Sequence, residues 1–425
     1  MKSILKVLSA VALTGVMVLP VLADDATTTT DAKDQKDLKK VIEDQGINYV
    51  ETAQKGITLS GYVDVSYTEQ FGGRGTAFGG GQSVGHAFDR NNDNFNVNAV
   101  KIALEKALPD KNEWAAGFRV DAILGSDAKF LGDSAFGTSD QGVALEQALV
   151  KFRIPVGNGL DIYAGKFVTF LGYEVIESPA NPNFSRGLLF TNAIPLTHTG
   201  VYADYKFNDT VEAKFGVVDG WNNSLSFNTP NTSDEAFGGK ALTGQVNINA
   251  PGKNANLTFS AIYSPNGEPA ITNPNNNFGN NPAPTTAGLY VLDLWGNWTP
   301  TFDKDGKLTL GFNLDYGSDS YSWYGAALYA QYKLTKVIGL AARGEYLHQD
   351  SGAAKFGNGG FTNSNGTFNP QAENDWSETL TVSFAVWDNL LTRVEYRFDD
   401  IDGATNGTGH TNLQNEISAE AVYSF

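Results

Sequence analysis

The sequence ends with NLQNEISAEAVYSF, residues 412–425, and this stretch decides the fold. One parity of the stretch holds Leu413, Ile417, Ala419, Ala421, Tyr423 and Phe425, and the other holds Gln414, Glu416, Ser418 and Glu420. Alternation with a period of two predicts a β-strand with one apolar and one polar face. A strand that ends the chain still needs a partner. We expect it to pair with the first strand, Ile57–Gln70, because this pairing closes the sheet into a cylinder and removes both edges.

More alternating segments follow Ile57, each near the length of about 9 to 11 residues that a tilted strand needs to cross a membrane. The apolar parity holds, for example, Leu59, Val63, Val65 and Tyr67, then Trp114, Phe118, Val120 and Leu124, then Leu308, Leu310, Phe312, Leu314 and Tyr316. The polar parity holds the charges that we expect to line a pore: Arg119, Asp121, Arg343, Glu345, Arg393, Glu395, Arg397, Asp399, Glu416 and Glu420. Parity alone does not show which face points outward, since a soluble barrel would place its polar side chains outside.

The lengths of the connections distinguish these two arrangements. Short turns occur at 108–112, 155–159, 208–210, 251–255, 300–306, 335–336 and 388–389. They alternate with longer segments rich in Gly, Asn and Ser at 71–94, 126–142, 169–196, 220–239, 265–288, 350–375 and 400–411, with 317–321 as the one short exception. We therefore predict an all-β fold over residues 56–425: a closed antiparallel transmembrane β-barrel of about 16 strands, with short periplasmic turns and long extracellular loops.

Three segments depart from the pattern. Residues 95–106 change phase near Ala99, Lys166 lies on the apolar parity, and Glu146 lies on the outward parity of its strand. Outward aromatic residues lie near the strand ends, with Trp114, Phe207, Trp298, Tyr332 and Phe425 at the short-turn end and Tyr67, Tyr263, Tyr316, Tyr346 and Phe398 at the long-loop end. Because such rings favour the headgroup level of a membrane, we expect two aromatic girdles.

The N-terminal residues 1–23 read as a secretory signal peptide. They combine a basic start at Lys2 and Lys6 with an apolar run and a small-residue exit at Ala23. Residues 24–55 are polar, with a run of threonines and mixed charge, and we interpret them as a periplasmic linker. No later segment is apolar enough for a membrane helix, so strands must do any spanning.

Composition narrows the possible partners and cofactors. Cysteine is absent, which excludes disulfides and thiolate metal sites. Without Lys2 and Lys6 the chain carries 28 basic and 47 acidic residues, a balance of −19, which argues against a nucleic-acid partner. The four histidines are scattered and form no motif for catalysis or metal binding, so we expect no cofactor, no metal and no enzyme activity.

The loop at 169–196 is the candidate for a constriction. It contains Pro179, Pro182 and Pro195, which resist pairing into a strand. A loop of this kind can fold into the lumen and narrow it, and the residues that would then set the constriction are Tyr173, Glu174, Glu177, Asn181, Asn183 and Arg186. The alternative is a loop that stays outside and packs on its neighbours.

The same region carries a family resemblance. Residues 165–205 read GKFVTFLGYEVIESPANPNFSRGLLFTNAIPLTHTGVYADY. The matching positions are Gly165, Lys166, Phe167, Gly172, Tyr173, Glu174, Asn181, Asn183, Ser185, Arg186, Phe190, Pro195, His198, Thr199, Gly200 and Val201. With the opening GYVDVSY at 61–67 and the final Phe425, they resemble the putative beta-barrel porin-2, OmpL-like family. The resemblance implies an outer-membrane porin and does not supply a substrate.

The function that these features favour is a water-filled channel in the bacterial outer membrane for passive diffusion of small hydrophilic solutes and ions. Acidic outer loops favour a mild cation preference. One alternative is a substrate-preferring channel, for example for saccharides, with the inward aromatic residues Tyr202, Trp295 and Tyr329 as stacking surfaces; another is a barrel enzyme or adhesin that acts through its outer loops. The expected partners are outer-membrane lipids, the barrel-assembly machinery through the C-terminal strand, and two further copies of the chain in a homotrimer.

Overall fold

The structure is a computed structural model that describes residues 56–71, 83, 86, 88, 89, 91–131, 142–220, 240–265, 288–318, 322–350, 373–401 and 412–425. The predicted signal peptide and linker lie outside these residues, as do most residues of the predicted long loops other than 169–196. The predicted short turns all lie within them.

Sixteen antiparallel strands form a closed barrel, which confirms the predicted fold class. They are β1 (Ile57–Gln70), β2 (Asn94–Lys106), β3 (Ala115–Leu124), β4 (Val143–Ile154), β5 (Leu160–Val168), β6 (Thr197–Lys206), β7 (Val211–Val218), β8 (Ala241–Asn249), β9 (Ala255–Ser264), β10 (Leu289–Trp298), β11 (Leu308–Ser318), β12 (Ser322–Lys333), β13 (Ile338–Gln349), β14 (Glu373–Trp387), β15 (Leu390–Ile401) and β16 (Asn412–Ser424). One short α-helix, α1 (Leu188–Asn192), and two 3-10 turns, Asp127–Leu131 and Ser178–Ala180, complete the described elements.

The first and last strands close the sheet. β1 pairs with β16 in antiparallel register from Tyr62 opposite Ser424 to Gln70 opposite Glu416. Beyond that register, Gly61 and Phe425 exchange two backbone hydrogen bonds of 3.0 Å each. The closure predicted from the C-terminal stretch is therefore confirmed, and neither terminal strand keeps an unpaired edge along this register.

The two faces of the barrel differ in polarity as the alternation predicts. On β1, Leu59 is 62% exposed whereas Asp64 is fully buried, and on β12 Leu328 is 67% exposed. The aromatic residues expected at the short-turn end are all exposed, and those expected at the long-loop end are exposed or half-buried. The apolar face therefore points out of the barrel and the charged face points in, which is the arrangement that a hydrocarbon environment requires.

Two of the three irregular segments contain β-bulges. In β2, Ala99 pairs with Asp64 and Val97 pairs with Val65, so Asn98 is an extra residue, and its side chain donates to Asp64 Oδ1 at 2.9 Å. In β4, Gln147 pairs with Asp121 and Leu145 with Ala122, so Glu146 is the extra residue. An extra residue shifts the side-chain parity.

The expectation that Glu146 faces outward is wrong, because its bulge turns the carboxylate inward. The carboxylate is fully buried, and its Oε2 lies 2.5 Å from Lys101 Nζ. The third irregular residue, Lys166, is also buried, and its ammonium donates to the Leu145 carbonyl beside the same bulge.

Within the described ranges, no helix is both long enough and apolar enough to cross a membrane.

A charge placed on the outer face tests this orientation. Leu328 lies midway along β12, and we expect Leu328→Arg to destabilise the barrel in a bilayer by about 2–4 kcal/mol, the usual cost near the midplane. Leu334, which is 51% exposed and directly follows the short-turn end of β12, provides the matched control. Leu334→Arg should cost no more than about 1 kcal/mol. Denaturant unfolding in lipid vesicles measures both, and equal costs at the two positions would contradict the orientation.

Candidate functional site

The connection between β5 and β6, residues 169–196, lies inside the barrel, and we call it the lumen loop. Its backbone bonds to inward side chains on opposite sides of the wall. Ser260 Oγ donates to the Phe170 carbonyl at 2.8 Å, and Glu395 accepts from the Phe184 amide at 2.7 Å. The structure thus shows the inserted arrangement and not the alternative in which the loop packs outside.

One half of the lumen loop packs through aromatic rings. The ring of Tyr173 stacks on Tyr329 with centroids 4.0 Å apart and meets Trp295 edge-on at 6.0 Å. Its hydroxyl donates to Asn297 Oδ1 at 2.7 Å. Phe170 contacts the edge of Tyr202, 4.9 Å between centroids. The inward rings that a saccharide channel would use for stacking therefore already contact rings of the lumen loop.

The other half is held by buried charges, first by Arg343 on β13. This guanidinium lies 2.7 Å from Glu174 Oε1 of the lumen loop and 2.9 Å from Glu345 Oε2 of its own strand. It also donates to the Ser185 carbonyl at 2.6 Å. Glu345 in turn accepts from the backbone amide of Leu188, 3.1 Å, at the start of α1. The pair on β13 thus binds both a side chain and the backbone of the loop.

Arg393 on β15 forms the second anchor. Its Nε lies 2.5 Å from Glu420 Oε2 on β16, and its Nη atoms donate to the carbonyls of Asn181 and Asn183 at 2.8 and 3.0 Å and to Ser178 Oγ at 2.6 Å. A single buried guanidinium thereby pairs with a carboxylate and holds one stretch of the loop backbone.

Arg397 lies on the same inward face of β15 as Arg393 and Glu395. Its Nε lies 2.8 Å from Asp399 Oδ1, and its Nη1 donates to the carbonyl of Arg186 at 2.8 Å. The charges predicted to line a pore on β13, β15 and β16 therefore do face inward, and all are nearly fully buried. Most contact the lumen loop, whereas Glu416 accepts from Ser83 and Asp399 contacts His86. A role in lining an open channel stays a prediction for them.

On β2, which only β1 and β16 separate from β15, charges cluster around Lys101. Its ammonium lies 3.2 Å from Asp121 Oδ2 and 2.5 Å from Glu146 Oε2, and it also contacts Glu177 of the lumen loop. Arg119 Nε donates to Asp121 Oδ1 at 2.9 Å. Sequence reasoning found Arg119, Asp121 and Glu177 but missed Lys101 and misplaced Glu146, because the two bulges hide the inward parity of these residues.

A cleft lies beside the lumen loop. Its lining combines loop residues with the wall residues Lys214, Gln245 and Trp295. Of the six residues predicted to set a constriction, Glu174 and Glu177 line this cleft. The remaining four support the loop: Tyr173 packs on the wall, Asn183 donates to Thr381, Asn181 bonds to the backbone of Val175, and Arg186 donates to the carbonyl of Phe184.

Glu177 is the charged group that links the cleft to the Lys101 cluster. Burial alone would raise the pKa of its carboxyl, but the ammonium of Lys101 outweighs burial and holds the pKa below its usual range. Glu177 is therefore ionised at neutral pH. This carboxylate pairs with Lys101 and lies, with Glu174, on the loop side of a cleft whose wall side carries Lys214.

A second cluster binds the described part of the β1–β2 connection to the wall. His86 is buried, with Nδ1 2.7 Å from Asp89 Oδ2 and Nε2 2.8 Å from Asp399 Oδ2. Burial and Arg397 both lower the pKa of His86, but the carboxylates of Asp89, Glu416 and Asp399 prevail and raise it to about 10. Both ring nitrogens thus carry protons at neutral pH and donate to carboxylates.

Two groups of side chains have ligand atoms close enough together to suit a metal ion. One is His86 with Asp89 and Glu416, and the other is Asp121 with Glu146 and Glu177. A cation of the protein already occupies each: the imidazolium of His86 in the first and the ammonium of Lys101 in the second. The arrangement therefore serves to bind segments of the chain to each other.

Replacing Arg393 tests whether the buried charges hold the lumen loop. Arg393→Met leaves Glu420 buried without its partner, and we expect it to lower the free energy of unfolding by about 3–5 kcal/mol. The double variant Arg393→Met/Glu420→Gln should recover part of this loss, because it removes the unpaired charge. Denaturant titration measures the stability, and limited proteolysis within residues 169–196 reports release of the loop. A single variant as stable as the wild type would contradict the anchor.

The His86 cluster predicts a dependence on pH. Because the pKa of His86 is raised on folding, its contribution to stability is complete below about pH 6.5 and is lost as the pH rises through about 10. We therefore expect the wild type to be more stable than His86→Gln at pH 6 and the difference to shrink by pH 10. Unfolding titrations of both proteins at the two pH values measure it. A difference that stays constant would show that the charge of His86 does not contribute.

Solved structures share this architecture at low sequence identity. Pseudomonas putida OprB matches with a TM-score of 0.58 and 13% identity, over 92% of this chain and 97% of that chain. The outer membrane channel DcaP of Acinetobacter baumannii matches with a TM-score of 0.56 and 12% identity, over 87% of this chain and 97% of that chain. The trimer form of the outer membrane protein OmpT of Vibrio cholerae matches with a TM-score of 0.53 and 12% identity, over 87% of this chain and 99% of that chain. These likenesses establish the fold.

Sequence comparison establishes the family. No curated protein has a significantly similar sequence. The family model for putative beta-barrel porin-2, OmpL-like, matches residues 56–425, which is the whole barrel. Family and fold together place the protein in the bacterial outer membrane, within a family of porin-like channels. The chain belongs to the putative beta-barrel porin-2, OmpL-like family of outer-membrane porins.

Proposed function

We propose that small hydrophilic solutes and ions diffuse passively through this porin along the cleft beside the lumen loop, with a mild preference for cations. The observation that carries the proposal is the cleft itself, bordered by the loop on one side and by Lys214, Gln245 and Trp295 on the other. Barrels of sixteen strands are wide enough to leave an aqueous channel, and an inserted loop narrows this channel to a size limit.

The charge inside the barrel supports the preference for cations. Among the described residues, fourteen carboxylates are buried against nine lysines and arginines. Glu174 and Glu177 of the lumen loop both line the cleft, and Glu177 is ionised. An excess of negative charge around a narrow path raises the local concentration of cations.

The saccharide alternative has less support. Tyr202 and Tyr329 are nearly fully buried against rings of the lumen loop, so neither offers a free face to a sugar. Trp295 lines the cleft, but its ring also contacts Tyr173. The outer loops on which an adhesin or enzyme would depend lie mostly outside the described residues.

We also propose the partners. The exposed apolar band fits outer-membrane lipids, and the amphipathic strand β16 with its final Phe425 fits recognition by the barrel-assembly machinery. The homotrimer remains a proposal, supported by the trimer form of OmpT of Vibrio cholerae, which shares the fold.

A variant at Glu177 tests the proposed path. We expect Glu177→Gln to reduce the cation preference, so that the reversal potential across a salt gradient moves toward zero in planar bilayers. Asp209→Asn, which removes the same charge from an exposed short turn, is the matched control and should leave the reversal potential unchanged. An unchanged potential in Glu177→Gln, or a wild type that prefers anions, would refute the proposed selectivity.

A further inference from the structure

Two aspartates face each other across adjacent strands on the inner wall. Asp293 of β10 lies directly opposite Asp315 of β11. Asp293 is fully buried and Asp315 is 4% exposed. Their carboxyl groups interact directly with each other. Like charges placed directly opposite on neighbouring strands destabilise a sheet, so this pair requires a compensating group.

The two carboxylates differ in how well they are satisfied. Asp293 accepts from Asn313 Nδ2 at 2.7 Å and from the backbone amide of Gly172 in the lumen loop at 3.1 Å. Both oxygens of Asp315 are buried and, within the part of the chain that the structure describes, neither accepts a hydrogen bond from a donor of the protein. An ionised carboxylate that is buried without a partner is very costly.

Other carboxylates on the same wall have a cation of the protein beside them. Glu345 pairs with Arg343, and Glu420 pairs with Arg393. Neither Asp293 nor Asp315 forms an ion pair with a described lysine, arginine or histidine. The nearest groups that influence them are each other, Asn313, Ser260 and Glu345, none of which is cationic. Either a bound cation or a proton shared by the two carboxyls must therefore compensate the pair.

We propose that Asp293 and Asp315 form a binding site for one hard divalent cation, for which Ca²⁺ is the natural probe. All the available ligand atoms are oxygens, which suits Ca²⁺ and similar ions and does not suit metals that prefer sulfur or imidazole. One divalent cation balances the two carboxylates. Since the protein offers few ligands, water completes the shell, and the affinity belongs in the range of about 0.1–1 mM that is typical of extracellular sites.

The position of the pair gives the site a structural role. Asp315 lies near the outer end of β11, which ends at Ser318. Asp293 holds the amide of Gly172, and Asn313 Oδ1 accepts from the amide of Tyr173 at 2.9 Å. The cation therefore stiffens the point where the lumen loop leaves β5.

Calcium titration of the purified full chain tests the site. The protein is freed of lipopolysaccharide, which itself binds divalent cations, and is studied in 0.5 M KCl to screen weak binding to the acidic surface. We expect isothermal titration to show one saturable Ca²⁺ site per chain and EDTA to lower the thermal midpoint of unfolding. Asp315→Asn should weaken Ca²⁺ binding more than about tenfold, as loss of a ligand does.

Two controls separate binding at this pair from binding elsewhere on the acidic chain. Asp305→Asn removes an exposed carboxylate from a short turn and should bind Ca²⁺ as the wild type does. If Asp315→Asn does not fold, Ca²⁺ binding by Asp293→Asn and the response of the wild type to EDTA still test the site. The proposal would be overturned if the wild type showed no saturable Ca²⁺ binding and no change of its thermal midpoint with EDTA. That result is expected if the two carboxyls share a proton. Retained binding in both Asn variants would overturn it as well. Conductance tests the proposed channel function separately, so the outcome of the Ca²⁺ titration does not decide whether the barrel conducts.

Discussion

The requirement that every backbone N–H and C=O in a hydrocarbon layer be hydrogen bonded is the constraint on which this structure depends. A sheet satisfies it only when its first and last strands pair. The register from Tyr62 opposite Ser424 to Gln70 opposite Glu416 provides this pairing, and the backbone bonds between Gly61 and Phe425 extend it to the last residue. The strict polarity of the two faces follows from the same constraint, because a closed sheet of this kind has lipid outside and polar groups inside.

Side chains on the inner wall hold the lumen loop in place inside the barrel. Aromatic packing around Tyr173 fixes one side of the lumen loop, and Arg343 and Arg393 fix the other through its backbone carbonyls. Buried ion pairs contribute little net stability compared with apolar packing, but their directed hydrogen bonds specify one position of the loop. The cleft lies between Glu177 of the lumen loop and the wall residues Lys214 and Gln245.

Much of the fold could be predicted from the sequence, because period-two alternation and turn lengths report on strands one residue at a time. The bounds of β1, the closure by β16 and the orientation of Leu328 all follow from such local patterns. The bulges at Asn98 and Glu146 do not, since an extra residue is visible only against the partner strand. Lys101 was therefore missed. The burial of Arg343 and Arg393 against the lumen loop is a long-range contact, and their inward parity gives no information about what occupies the lumen.

The central claim is that a water-filled tube runs through the barrel and that the lumen loop narrows it. Single-channel recording of the wild type beside a variant in which residues 172–194 are replaced by a short glycine linker tests this most directly. We predict stable conductance steps for the wild type and steps several-fold larger for the shortened variant at the same salt concentration. Equal steps in the two proteins would show that the loop does not limit the path, and the absence of steps in both would contradict a conducting lumen.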